Sequence, residues 1–145
     1  MYKLITKNEE LQPYRYDTED AFERAVIEHK NAVLGANSLY FQKKRKLGNT
    51  IPDGYWLDLT LHTEPKLYFV EMELETHDLY GHIAEQLLKF SMAFDDNKYR
   101  LKSILMDEIA GDPEKRRQLK AFVQNPKSRF RDETELLYQD RKSVV

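Results

Sequence analysis

The sequence predicts an α+β domain: a helix, a three-stranded antiparallel sheet, a crossover helix, and then a helical C-terminal part. Three observations carry that reading. Residues 17–35 and 79–141 place apolar side chains at helical spacing, while the segment between them alternates with a period of two. Turn residues separate the alternating runs, at Gly48-Asn49 and at His62-Thr63-Glu64-Pro65-Lys66. At 145 residues the chain has the length of one domain. A charged fraction of 33% beside a hydrophobic fraction of 41% fits a soluble globular protein and excludes a disordered one. No apolar run approaches the roughly 18 residues of a membrane span. The first residues lack an apolar signal region, so a cytoplasmic location is expected. With no cysteine there is neither a disulfide framework nor a thiolate metal site. The net charge of −2 excludes a blanket affinity for nucleic acid, so any DNA contact has to come from local basic patches.

Taken in order, residues 1–16 hold Tyr2, Leu4, Leu11, Pro13, Tyr14 and Tyr16 without a sustained period and read as an arm or a short strand. Asp17 or Thr18 caps a helix whose first turn is acidic, Glu19 and Asp20, as the helix dipole favours. Phe22, Val26, His29 and Val33 form its apolar stripe, with Glu19 at the edge and Glu23 further round, and Gly35 suits its stop. Ser38 to Lys44 alternates as a strand and ends in the basic run Lys43, Lys44, Arg45 and Lys46. That run is either a solvated edge or a phosphate contact. Tyr55, Leu57, Leu59 and Leu61 mark a second strand, and Leu67 to Glu75 returns antiparallel to it. Leu79, Ile83, Leu87, Phe90 and Phe94 then form one helical stripe. Ala84, Leu88 and Met92 form a second, which implies cover from further helices. Leu101, Ile104, Leu105 and Ile109 continue the helical pattern; Asp112 caps another helix with Pro113 in its first position, and Pro126 ends it. A last helix is expected over residues 132–141. The basic cluster from Lys115 to Arg131 reads as a solvated face.

Chemistry concentrates between residues 51 and 90. Asp53 opens one strand of the hairpin and Glu71 lies along its partner, so their meeting depends on the register. Strand alternation puts Glu71, Glu73 and Glu75 on one face and Tyr68, Val70, Met72 and Leu74 on the other, which is the expected core face. Carboxylates in a row raise one another's pKa unless a cation sits among them, and a hard divalent ion is the economical partner. Gln86 flanks the helical stripe four residues before Phe90. His77 and His82 lie outside any metal-ligating spacing and fit solvent or hydrogen-bonding roles.

Pro52-Asp53, followed after seventeen residues by Glu71-Met72-Glu73, resembles the Pro-Asp…Asp/Glu-x-Lys pattern of the PD-(D/E)XK nuclease superfamily, with Glu73 standing where lysine is usual. The resemblance covers residues 17–94, leaving 98–141 as a helical extension. It implies a restriction-endonuclease-like core whose fourth strand is lacking, displaced to residues 99–106 or 130–138, or cut off with the end of the chain. It implies a Mg²⁺- or Mn²⁺-dependent nuclease acting on DNA, with Asp53, Glu71 and Glu73 at the metal and Gln86 and Glu19 beside it. Lys43, Lys44, Arg45 and Lys46 would then meet the DNA, and a homodimer is left open. If the strand is shifted by one pair, Glu75 is the runner-up ligand. Two arrangements supply the missing positive charge: Glu73 holds a second metal, the favoured one, or Lys43 or Lys44 places its ammonium in the vacated position. The competing readings are a nuclease-like domain that binds nucleic acid or a partner protein without cleaving, and an α+β domain whose acidic row is simply solvated.

Overall fold

A computed structural model describes residues 4–5, 10–11, 13–42, 44–74 and 79–137. The architecture is α+β. Two short strands, β1 (Leu4–Ile5) and β2 (Glu10–Leu11), pair antiparallel. After them come α1 (Glu19–Glu28), a single turn α2 (Lys30–Val33), and the strands β3 (Ser38–Phe41), β4 (Gly54–Asp58) and β5 (Lys66–Val70). The long helix α3 (Leu79–Gly111), α4 (Pro113–Val123) and the short α5 (Glu133–Leu137) complete the chain. Among the described residues the main sheet has three strands in the order β3-β4-β5, all antiparallel. Both segments named as candidates for a fourth strand fail to provide one: residues 99–106 lie inside α3, and residues 133–137 form α5.

Local rules account for the helix ends. The Thr18 hydroxyl accepts a hydrogen bond from the Ala21 N–H and caps α1, with Glu19 and Asp20 in its first turn. The chain leaves the helical region at Gly35, whose φ of +89° is the left-handed conformation that suits a glycine stop. Asp112 caps α4 by accepting from the N–H groups of Glu114 and Lys115, and Pro113 fills the first helical position where no donor is needed.

The core lies on one face of the sheet. Cross-strand rows Leu39–Leu57–Leu67 and Phe41–Tyr55–Phe69 point into it, so the buried side of β5 is Leu67 and Phe69, not the Tyr68 and Val70 side. The reason lies in α3. Phe90 stacks on Phe69 with ring centroids 5.1 Å apart and Phe94 meets it edge-on at 6.0 Å, which fixes the face that the sheet turns to the helices. Leu101, Ile104, Leu105 and Ile109 of the same helix, Leu119 and Phe122 of α4, and Leu136 and Leu137 of α5 fill the rest. Each such side chain contributes about 1.5–3 kcal/mol on burial. The opposite face carries the row Tyr40–Trp56–Tyr68, with Trp56 and Tyr68 stacked at 4.5 Å.

Two expected stripes do not become core. In the first stripe, Val26 of α1 is only half-buried, His29 at the C-terminal cap of α1 and Val33 of α2 are exposed, and the buried residue of α1 is Glu23. On α3, Leu88 and Met92 stay 68% and 71% exposed, so no described helix covers that side. The α3 axis is also interrupted at Asn97, whose φ of −126° and ψ of 24° are non-helical. The Asn97 side-chain amide donates to the Ala93 carbonyl at 3.0 Å. The turn Leu47–Thr50 presses on this point: Gly48 has a φ of +59°, and a Cβ there would lie 3.0 Å from Asn97 Nδ2.

Candidate active site

β4 and β5 pair in the register Gly54↔Val70, and continuing that register by one step sets Asp53 opposite Glu71. The two residues are locked reciprocally. The Asp53 N–H donates to Glu71 Oε2 at 3.1 Å, and the Met72 N–H donates to Asp53 Oδ2 at 2.9 Å. β5 stops at Val70, so Glu71 and Glu73 lie beyond the strand rather than along it, and Glu75 is outside the described residues. Strand alternation therefore no longer ties Glu73 to the face of Glu71. Glu73 lines a separate open cleft with Tyr14, Tyr16 and Phe22.

The cation at this site comes from the end of β3. Lys44 Nζ donates to Glu23 Oε2 at 2.7 Å and lies 3.1 Å from Asp53 Oδ1. Glu23 is only 7% exposed, and its second oxygen, Oε1, is buried with no hydrogen-bond partner among the described residues. The bond to Glu23, followed by the bond to Asp53, holds the Lys44 ammonium above its ordinary pKa of 10.5, against the opposing effect of partial burial. Lys44 is therefore a fixed cation at neutral pH. Tyr40 stands beside this group with its hydroxyl buried and unpaired among the described residues. Burial, followed by the negative charges of Glu23, Asp53 and Glu71, pushes the phenol well above its usual range and keeps it neutral. The ring reaches over Gly54, where a Cβ would come within 2.2 Å of the Tyr40 hydroxyl oxygen. No side chain larger than hydrogen fits there without displacing the ring.

The remaining site candidates fall in different places. Glu19 is exposed in the first turn of α1; Glu23, one turn on, is the α1 carboxylate that meets Lys44. Gln86 accepts a long hydrogen bond, 3.4 Å, from the buried Thr50 hydroxyl, which ties α3 to the loop leading into Asp53. The described members of the basic run face different partners. Lys44 faces carboxylates, Arg45 pairs with Asp107 at 3.1 Å, Lys46 is exposed, and Lys43 lies outside the described residues. His77 is likewise outside them, as is the side chain of His82. Sequence reasoning missed Glu23 as a site residue; its signal is a glutamate one turn inside a helix, where no partner is visible until Lys44, 21 residues later, is placed.

Comparison with family models, curated proteins and solved structures finds no match. The chemistry of the site therefore rests on its own geometry. Asp53 and Glu71 form an adjoining pair of hard oxygen donors, and Glu23 adds a third carboxylate on the far side of the Lys44 ammonium. Among the described residues no group of three or more His, Asp or Glu side chains is gathered to hold a metal ion. A pair of carboxylates fits Mg²⁺, which usually takes one or two from the protein and fills its other positions with water or phosphate oxygen.

Proposed function

We propose that this chain is a metal-dependent nuclease that hydrolyses phosphodiester bonds in DNA, with Lys44 in the role that the Glu73 position leaves vacant. One observation carries the reading: an ammonium is fixed by Glu23 and Asp53, and Asp53 is in turn tied through its N–H to the carboxylate of Glu71, so that an acidic pair and a cation of the kind phosphodiester hydrolysis needs share one end of the sheet. Asp53 and Glu71 would hold Mg²⁺ or Mn²⁺. When bound, such an ion polarises a phosphoryl oxygen and lowers the pKa of an attacking water. Lys44 stays protonated, so it does not serve as the general base. It stabilises the negative charge that develops on the phosphoryl oxygens, and a preorganised cation of this kind is a large part of catalysis in many sites. Glu23 is the positioning residue, holding the Lys44 ammonium in place from the buried side. The Met72 N–H and the Asp53 N–H orient the two carboxylates, so the pair does not have to reorganise as charge moves.

A second reading is favoured by the same contacts. Asp53 already has both oxygens engaged, one by Lys44 and one by the Met72 N–H, so the ammonium serves as an internal counter-ion. In that case the chain is a nuclease-like domain that binds nucleic acid or a partner protein without cleaving. Calorimetric titration with Mn²⁺ and Mg²⁺, alongside plasmid nicking, separates the two. Under the first reading the wild type binds metal and nicks DNA, a chelator stops it, and Asp53→Ala and Glu71→Ala lose both properties. Metal titration with no heat above that of Asp53→Ala, and no cleavage, selects the second.

A further inference from the structure

Asp, Glu, Lys and Arg make up 33% of the chain, yet none of them is among the described residues that line one cleft at the opposite end of β4 from Asp53. Its volume of about 370 Å³ lies within the roughly 300–1,000 Å³ of small-ligand clefts. Three parts of the chain converge on it: Asn37 and Ser38 where β3 begins, His62 beyond β4, and Gln118 and Phe122 of α4 with Asn125 just past the helix end. The walls are braced. The Leu59 N–H donates to the Asn37 carbonyl at 2.9 Å. The His62 ring lies flat on buried Phe122, with centroids 5.0 Å apart at 10°, and Phe122 in turn stacks on Phe130 at 6.4 Å.

The polar side chains here are oriented by one bond each and keep further capacity. Gln118 Nε2 donates to Glu114 Oε1 at 2.8 Å, which leaves its second N–H as a donor and its own Oε1 as an acceptor. Asn125 Oδ1 accepts from the Lys127 N–H at 2.9 Å, which leaves the Asn125 amino group to donate. Ser38 Oγ donates to the Gly35 carbonyl at 2.6 Å and can still accept. Without a lysine or arginine in its walls the cleft is poorly matched to a phosphate or carboxylate. It is equally poorly matched to guanine, whose N7 and O6 are both acceptors and call for a cationic donor. A carboxamide that offers one N–H beside one carbonyl oxygen is complementary to the adenine edge, an N7 acceptor next to an N6 donor. A braced imidazole is a surface on which such a base can stack.

We propose that the cleft binds an adenine base, as carried by a free nucleoside, with the base stacked on His62 and its edge read by the Gln118 carboxamide. The proposal goes beyond the nuclease reading and does not rest on it, since it uses neither the carboxylates at the other end of β4 nor a metal. The test is NMR titration of the full chain, in chelator, with adenosine, guanosine, adenosine monophosphate and glucose, following backbone and side-chain amide signals. Adenosine gives saturable shifts at Gln118, Asn125 and the residues beside His62. Guanosine binds about 5- to 150-fold more weakly, the discrimination carried by one bidentate pair. The monophosphate binds no more tightly than adenosine. Gln118→Met weakens adenosine binding by a similar factor and leaves Tm unchanged, as fits an exposed helix position. Adenosine shifts that do not saturate, equal affinity for guanosine, or a Gln118→Met variant that binds adenosine like wild type overturns the proposal. Tighter binding of the monophosphate or of glucose also overturns it, because the cleft then reads a phosphate or hydroxyl groups and not the edge of a base.

Discussion

Replacing Lys44 by methionine keeps most of the side-chain volume and removes the cation. Its partner Glu23 is then a buried carboxylate with neither oxygen paired among the described residues. Exposed ion pairs contribute about 0–1 kcal/mol, whereas stripping one partner from a buried pair costs about 3–5 kcal/mol. The Lys44 side chain is 50% exposed and that of Glu23 is 9% exposed, an intermediate case. The expected loss is about 2 kcal/mol, between those limits. For a domain near this size that lowers Tm by about 4–8 °C, measured by thermal melting at pH 7. Adding Glu23→Gln to Lys44→Met removes the stranded charge and should recover at least half of the loss. The pH dependence has a definite sign. A pKa raised on folding gives stability that is fully present below 10.5 and is lost as pH rises through the folded value, so the gap between wild type and Lys44→Met should hold from pH 7 to 10 and narrow above that. In the nuclease reading the rate at saturating DNA also falls about 10²-fold, with metal binding unchanged. A Lys44→Met protein that melts within 1 °C of wild type, or a double variant no more stable than the single one, would refute the argument that Lys44 neutralises a buried Glu23.

Three further outcomes follow from local geometry. Gly54→Ala should destabilise by about 1–3 kcal/mol through overpacking against Tyr40, and Gly54→Ala with Tyr40→Leu should recover part of it by denaturant melting. Asp112→Ala should cost about 0.5–2 kcal/mol by removing the α4 cap. Because Lys115 holds the Asp112 carboxyl below its ordinary value, that difference should be present above pH 4 and fade as pH falls through the folded pKa. Glu23→Leu should lower the pKa of Lys44, read by NMR titration of its ammonium, while Glu19→Gln leaves that pKa at its wild-type value; the opposite order would return the α1 role to Glu19.

The elements that were legible in the sequence are those set by neighbours in the chain. The Thr18 and Asp112 caps, the Gly35 stop, the Gly48 turn and the buried run Leu101–Ile104–Leu105–Ile109 each depend on residues within a few positions. Asp53 and Glu71 were legible as residues but not as a pair, because their register is fixed by the rows through Tyr55 and Phe69 and through Leu57 and Leu67. The core face of β5 was read the wrong way round. Tyr68 and Val70 look as apolar as Leu67 and Phe69, and only the stack with Phe90 decides between them. Glu23 and Lys44 were hidden for a similar reason. A helical wheel sorts residues by apolarity, and a carboxylate buried against a lysine from another element violates that sorting.

The interruption of α3 at Asn97 serves as a surveyor's mark for the loop that ends in Asp53. An unbroken helix would present a smooth cylinder on which the turn at Gly48 could slide by a turn in either direction. The step at Asn97 is met by a residue without a side chain, which lets the turn approach the helix closely at that point. From that seat the chain runs through buried Thr50, tethered to Gln86, and through Pro52 to the Asp53 carboxylate, a span too short and too constrained to absorb an offset. The location of an acidic group at one end of the sheet is thus measured from a point on a helix, Asn97, that comes more than forty positions later in the chain. Straightening that helix for the sake of its propensity, for instance by Asn97→Leu, would strengthen the helix and erase the mark from which the site is laid out.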